Sequence, residues 1–335
     1  MVKNLSLACA LLVLCAGTRA RAEECVGRPT LENSVPMEAD GPSGKVVVPI
    51  TLNGVPEKFL FDTGGGAMNY IAPAVALRLG LFRTDNFRAT DLAGNKSYKV
   101  AGARKVTFGA VTARNVTIFQ MVPDLAFDGI LSAGTMTGDD LDIDFGAMRL
   151  NFFSADHCPG AVVYWPHQTL AVVPVTLAEG HFGLATTLDG HALTAVIDTG
   201  SPWTILNLAW AKENLGFSPG TTTPSSGIPK DEPDQQIYFR RYSKLSFPGI
   251  TVANPLVVVR PVQFGDDHAA PDMIIGMEVL RHLHLYYATK EKKIYITPAA
   301  VAAQLPKPAP SSSGHAWPQD EELYSKVWDP VHRPH

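Results

Sequence analysis

The stretch Ala195-Val196-Ile197-Asp198-Thr199-Gly200-Ser201 governs the reading of the whole chain. Three apolar residues run straight into Asp-Thr-Gly, the pattern of a buried strand that ends by presenting a carboxylate before a turn. The same figure occurs earlier as Phe59-Leu60-Phe61-Asp62-Thr63-Gly64. An Asp-Thr-Gly triplet arises by chance in roughly one chain in fifteen of this length, and two, each behind an apolar run, are far rarer. A single strand-ending Asp is ordinarily a turn cap, and it is the second copy that shifts the balance toward chemistry.

Two carboxylates delivered by equivalent strands have a definite use. Facing each other within hydrogen-bonding range, they do not both ionise, because like charges at that distance drive their pKa values apart. Such a pair takes a proton from water and gives one to a carbonyl oxygen, which is acid–base hydrolysis of an amide with neither metal nor cofactor. Asp62 and Asp198 are therefore the candidate catalytic residues.

Outward from the two motifs, the parts come in the same order twice, as in a diverged internal duplication. Ahead of the first lie 45–52, the turn Asn53-Gly54 and the strand into Asp62, a hairpin pattern. Ahead of the second lie 172–177, 182–187, the turn Asp189-Gly190 and 193–197. Helical segments follow at 73–81, with Gly80, and at 206–215, with Gly216 as the stop. Next come strand, turn and strand: 106–109 with 116–122, and 245–249 with 256–259. Each half closes on a small apolar element (127–132 and 272–276) and a strand pair (141–145 with 148–152, and 284–287 with 293–296). A joint at 159–166 separates the copies, and 219–236 reads as a loop from its Pro, Ser, Thr and Gly content.

A chain of 335 residues with 46% hydrophobic and 18% charged residues is a globular protein of about two domains. Its net charge of -4, without a long basic block, gives no reason to expect a nucleic acid or an electrostatic membrane partner. Lys3, the apolar run 5–16 and Ala20-Arg21-Ala22 read as an export signal. The apolar run is short for a membrane span, and a lipoprotein at Cys15 would want a small residue where Leu14 stands. The expected divisions are a signal peptide at 1–22, lobes at 23–158 and 159–300, and a Pro/Ser-rich disordered tail at 301–335. Cleavage after Ala22 leaves Cys25 and Cys158 as the remaining cysteines, and a periplasmic or secreted chain would join them, at about 4–5 kcal/mol in the chain-entropy account. The alternative is two free thiols.

With both motifs and both later apolar elements in view, the chain resembles the aspartic proteases, in particular exported bacterial members of the retropepsin-like and pepsin-like group, over about residues 40–300. The resemblance implies a mainly β fold of two homologous barrel lobes with short helices, related by a pseudo-two-fold axis. It implies a lytic water held by Asp62 and Asp198, with Thr63 and Thr199 bracing the opposite turns and Gly64 and Gly200 letting the backbone approach the pair. Ser201 matches a residue whose hydroxyl often bonds its own aspartate, and its counterpart is Gly65. Ile274-Ile275-Gly276 fits the family's apolar-apolar-Gly element, whereas Ile130-Leu131-Ser132 carries Ser in place of Gly. A β-hairpin flap is expected at 89–106, with Gly94-Asn95 at its tip and Tyr98 as a substrate contact. The implied activity is that of an endopeptidase on a peptide or protein substrate, with no cofactor and a site complete within one chain.

Gly65 and Ser132 favour a rival reading, a catalytically silent protein of the same fold that binds a peptide or partner in its cleft. Other signals are weaker. Asp140-x-Asp142-x-Asp144 lacks the Gly and the bidentate Glu of a calcium loop and reads as solvent-facing alternation on a strand. His282 and His284 read as a surface pair without a third metal ligand, and Trp203 fits either cleft or core. No Gly-x-Ser-x-Gly elbow supports a serine hydrolase.

Overall fold

The computed structural model describes residues 25–300 apart from 26, 42–43, 88–97, 121–126, 137, 179, 219–224, 227–236 and 263–269. The expected signal peptide and tail, the flap tip and most of the 219–236 loop lie outside the described residues.

The first half contains β1 (Leu31–Pro36), β2 (Glu38–Asp40), β3 (Lys45–Leu52), β4 (Val55–Asp62), β5 (Tyr70–Ile71) and the helix α1 (Pro73–Arg78). It continues through β6 (Phe82–Phe87), β7 (Tyr98–Phe108), β8 (Val111–Gln120), β9 (Gly129–Ser132), β10 (Asp140–Asp144) and β11 (Arg149–Phe153). The second half repeats the order with β12 (Ala171–Ala178), β13 (His181–Leu188), β14 (His191–Ile197), β15 (Thr204–Asn207), α2 (Leu208–Leu215) and β16 (Ser225–Ser226). It ends with β17 (Ile237–Arg241), β18 (Lys244–Phe247), β19 (Ile250–Ala253), β20 (Leu256–Arg260), β21 (Met273–Ile275), α3 (Met277–Leu280), β22 (Leu283–Ala288) and β23 (Lys293–Pro298).

Local chemistry sets these elements. Asn53 and Gly54 both have positive φ (52° and 93°), as do Asp189 and Gly190 (49° and 89°), so each lobe opens with a two-residue hairpin whose turn follows the twist of its strands. α2 starts where the Asn207 side chain accepts from Ala209 N at 3.0 Å and stops at left-handed Gly216.

Between β4 and β9, and again between β14 and β21, the pairing is parallel, which sets an apolar strand beside each Asp-Thr-Gly strand. The two halves share one sheet, in which β1, β11 and β10 lie beside β22, β23 and β12. That shared platform, together with the main apolar core, locks the lobes at a fixed offset. Cys25 is bonded to Cys158, tying the start of the described chain to the end of the first half.

The structure corrects three sequence readings. First, 106–109 and 245–249 do not pair with 116–122 and 256–259. Phe108 faces Val111, and Phe247 faces Ile250, each immediately across a glycine turn. The partner strands begin there, in exposed, weakly patterned sequence that periodicity passes over. In the second lobe Asn254, at φ 52°, and Pro255 break the ribbon, so β20 turns away to pair with β15 and β17.

Second, the alternating aspartates of β10 do not face solvent. Asp140 and Asp142 are fully buried at the platform where the lobes meet. Asp142 accepts from His284 Nε2 at 2.5 Å, Tyr164 Oη at 2.6 Å and Asn151 Nδ2 at 2.8 Å. Asp140 bonds His157 Nε2 at 2.6 Å and accepts from Thr289 N and Tyr286 Oη, donors that work against the upward pull of burial on its carboxyl. His284 is thus a buried partner of Asp142 and not half of a surface pair, while His282 is exposed. Third, the 159–166 joint is packed: Val162 is buried, and Trp165 stacks on His284 with centroids 3.7 Å apart.

Candidate active site

Asp62 ends β4, and Asp198 follows β14. The strands behind them are anchored on both sides: Phe59 and Phe61 are buried in the core, and Leu60 packs on Tyr70 and Ile130. Each turn is braced by the other lobe. Thr63 N donates to Thr199 Oγ1 at 3.0 Å, and Thr199 N donates to Thr63 Oγ1 at 3.0 Å. The same hydroxyls donate onward, Thr63 to Ile197 O at 2.8 Å and Thr199 to Phe61 O at 2.7 Å. These buried bonds span the lobe boundary, so neither turn moves without the other.

The glycines are required by approach. A Cβ on Gly64 would lie 2.5–2.7 Å from the carboxylate oxygens of Asp198, and a Cβ on Gly200 would lie 2.6–2.7 Å from those of Asp62. Each carboxylate therefore rests on the opposite turn. Gly64 N donates to Asp62 Oδ1 at 2.7 Å, and Gly200 N to Asp198 Oδ1 at 2.9 Å. Both aspartates are buried, at 4% and 1% exposure. Burial pushes the Asp62 carboxyl well above the ordinary carboxylate range; the Asp198 charge and a side-chain hydrogen bond with Asp198 push the same way, against the Gly64 amide and the Lys45 charge. Two carboxylates in this state share a proton.

Ser201 plays a different part from the one expected. Its hydroxyl donates to Trp203 O at 2.8 Å, and only its backbone amide reaches Asp198, at 3.1 Å. In the first lobe Gly65 has no hydroxyl, and Ser132 Oγ takes over the task by donating to Met68 O at 2.5 Å and Gly65 O at 3.1 Å. The sheet registers Tyr70 with Ile130 and Ile205 with Ile274, which makes Met68 the counterpart of Trp203 and Ser132 that of Gly276. One lobe uses Ser then Gly, and the other uses Gly then Ser, to satisfy the same carbonyl. The two apparent departures from the family pattern are one compensated exchange.

Apolar walls flank the pair. Leu60 shares a strand face with Asp62 and clusters with Tyr70, Ile130 and Phe119. In the second lobe Ile274 stands in register with Val196, which shares the face of Asp198, and clusters with Trp203, Ile205 and Val258. Tyr98 begins β7, whose pairing with β6 forms a hairpin, but its side chain and the 94–95 tip lie outside the described detail. Cys25 and Cys158 belong to the frame. Sequence reasoning missed Lys45 and His181, buried one at the start of each lobe's first hairpin; aligning the two copies on their aspartates would have paired them. Among the described residues no group of three or more His, Cys, Asp or Glu is placed to hold a metal ion.

Two β lobes that each contribute an Asp-Thr-Gly turn to a shared, buried carboxylate pair define the aspartic proteases as a class. The aspartyl protease family pattern matches residues 48–135 and again 184–279, more than half the chain with one motif in each match, and the chain belongs to that family. No curated protein matches it by sequence. Among solved structures, the crystal structure of the aspartic proteinase from Irpex lacteus is similar in fold, with a TM-score of 0.50, 14% identity and coverage of 82% of this chain and 99% of that chain.

Proposed function

We propose that the protein is an aspartic endopeptidase that cleaves peptide bonds with a water activated between Asp62 and Asp198. The observation that carries this reading is the reciprocal seating of each carboxylate on the other turn's glycine, held by the crossed threonine bonds. The ionised carboxylate takes a proton from water as its oxygen attacks the carbonyl carbon, and the protonated one gives its proton to the carbonyl oxygen. The tetrahedral species then collapses: the C–N bond breaks, a proton passes to the departing amine, and the pair again holds one proton. The apolar walls on either side suit apolar residues flanking the cut bond. The rival reading as a silent binding protein rested on Gly65 and Ser132, and their mutual fit supports activity instead.

Export to the periplasm or medium is part of the proposal, supported by the signal-like N-terminus and by a disulfide suited to an oxidising compartment. The test is a peptide library incubated across acid to neutral pH, with and without a chelator and a statine-type peptide. Cleavage that is faster in acid, survives the chelator and yields to the statine peptide is expected. Activity lost to the chelator and restored by zinc contradicts the reading.

A further inference from the structure

Lys45 opens β3 and His181 opens β13, and the two occupy the same seat in the two copies. β3 and β4 pair Val47 with Leu60; carried two residues on, that register sets Lys45 across from Asp62. β13 and β14 pair Phe182 with Ile197, and the next step sets His181 across from Asp198. Each basic residue follows a glycine in the left-handed region, Gly44 at φ 69° and Gly180 at φ 87°. Both are nearly sealed from water, at 2% and 6% exposure.

A lysine side chain is rarely buried, because removing an ammonium from water is costly unless other charges or dipoles receive it. Three groups face Lys45. The Phe127 ring lies 5.4 Å from its Nζ, Asp40 stands opposite it in the β2–β3 ladder, and Asp62 feels its charge. The charges acting on Asp62 are correspondingly Asp198 from the other lobe and Lys45 from its own. The duplicated seat thus holds a fixed cation in one lobe and an imidazole in the other.

We propose that Lys45 is a positioning residue for the dyad: its ammonium, held beside Asp62, favours the singly ionised carboxylate pair over the fully protonated one, while His181 fills the equivalent seat without a permanent charge. The proposal rests on the dyad reading given above. Its consequence has a definite sign. A fixed positive charge stabilises carboxylate anions, so the pair reaches its one-proton working state at lower pH than it would without Lys45, and it gives up its second proton at lower pH as well. Both limbs of a bell-shaped pH–rate profile are displaced toward acid.

The test follows the Asp62 carboxyl by NMR in protein labelled with carbon-13 at aspartate Cγ, with the resonance assigned through Asp62→Asn. It is paired with kcat/KM against pH on a cleaved peptide. Lys45→Met is expected to move the titration and both limbs to higher pH, and Lys45→Arg to return both toward the parent. His181→Lys, which adds a second fixed charge, is expected to move them to lower pH. A folded Lys45→Met with an unshifted Asp62 titration overturns the proposal, as does a Lys45→Arg shifted as far as Lys45→Met. Should Lys45→Met fail to fold, an unmoved titration in His181→Lys overturns it instead. A parent that cleaves nothing refutes the dyad reading alone, because the NMR titration still decides the role of Lys45.

Discussion

Gly65→Ser tests how the first lobe is built. A Cβ at this position would stand 3.1 Å from Ser132 Cβ and 3.3 Å from Asp62 Cγ, and well inside contact distance of Ser132 Oγ. The hydroxyl it meets is not free to withdraw, because it satisfies the carbonyls of Met68 and Gly65. Overpacking of this kind costs about 1–3 kcal/mol. Ser132→Gly alone deprives Met68 O of its donor, at about 1–3 kcal/mol, and glycine's added chain freedom costs roughly 0.5–1 kcal/mol more. The double variant Gly65→Ser/Ser132→Gly recreates the second lobe, where Ser201 bonds Trp203 O beside Gly276. It is therefore expected to recover about 2 kcal/mol or more relative to the sum of the single changes, a coupling within the range seen for contacting residues. Urea unfolding of the parent, the two single variants and the double variant measures the cycle. Stabilities that add to within roughly 0.5 kcal/mol would refute the exchange.

Other consequences follow from the same contacts. Asp142→Ala strips the acceptor from His284, Tyr164 and Asn151 at once and is expected to cost about 3–5 kcal/mol in thermal or urea unfolding. Reducing the Cys25–Cys158 bond, which closes a separation of 133 residues, is expected to lower Tm by about 10 °C, read by calorimetry with and without reductant. Because the folded Asp62 carboxyl is held above its unfolded value, its contribution to stability is full in acid and fades as pH rises through the folded value. The Tm of Asp62→Asn is accordingly expected to gain on that of the parent as pH is raised from about 4 toward neutrality, and a constant difference would contradict the raised carboxyl.

The hairpins, the duplicated order of parts and both aspartates were legible in the sequence because they rest on local signals. Asn53-Gly54 and Asp189-Gly190 specify their turns, and an apolar run stopping at Asp-Thr-Gly specifies its own strand end. What escaped was set by contacts between distant residues. The Ser132–Gly65 exchange joins positions that are near only after β9 pairs with β4, and on sequence alone each looked like a defect. The burial of Asp140, Asp142 and His284 depends on β10 pairing with β22 across the two lobes, which no periodicity encodes. The segment ahead of the first lobe, open as a removable pro-segment from its sequence, carries Cys25 and places β1 along β11 and β2 along β3. It is a working part of the frame.

The central claim is that Asp62 and Asp198 act as one acid–base unit, and turnover by single amide variants tests it most directly. Asp62→Asn and Asp198→Asn preserve size and relieve the repulsion between two close carboxylates, so each is expected to fold with Tm level or slightly raised. An amide takes no proton from water, and the remaining carboxyl cannot serve as both base and acid, so each variant is expected to lose cleavage of the peptide library that the parent cuts. Cleavage at the parental rate by either folded variant would contradict the account.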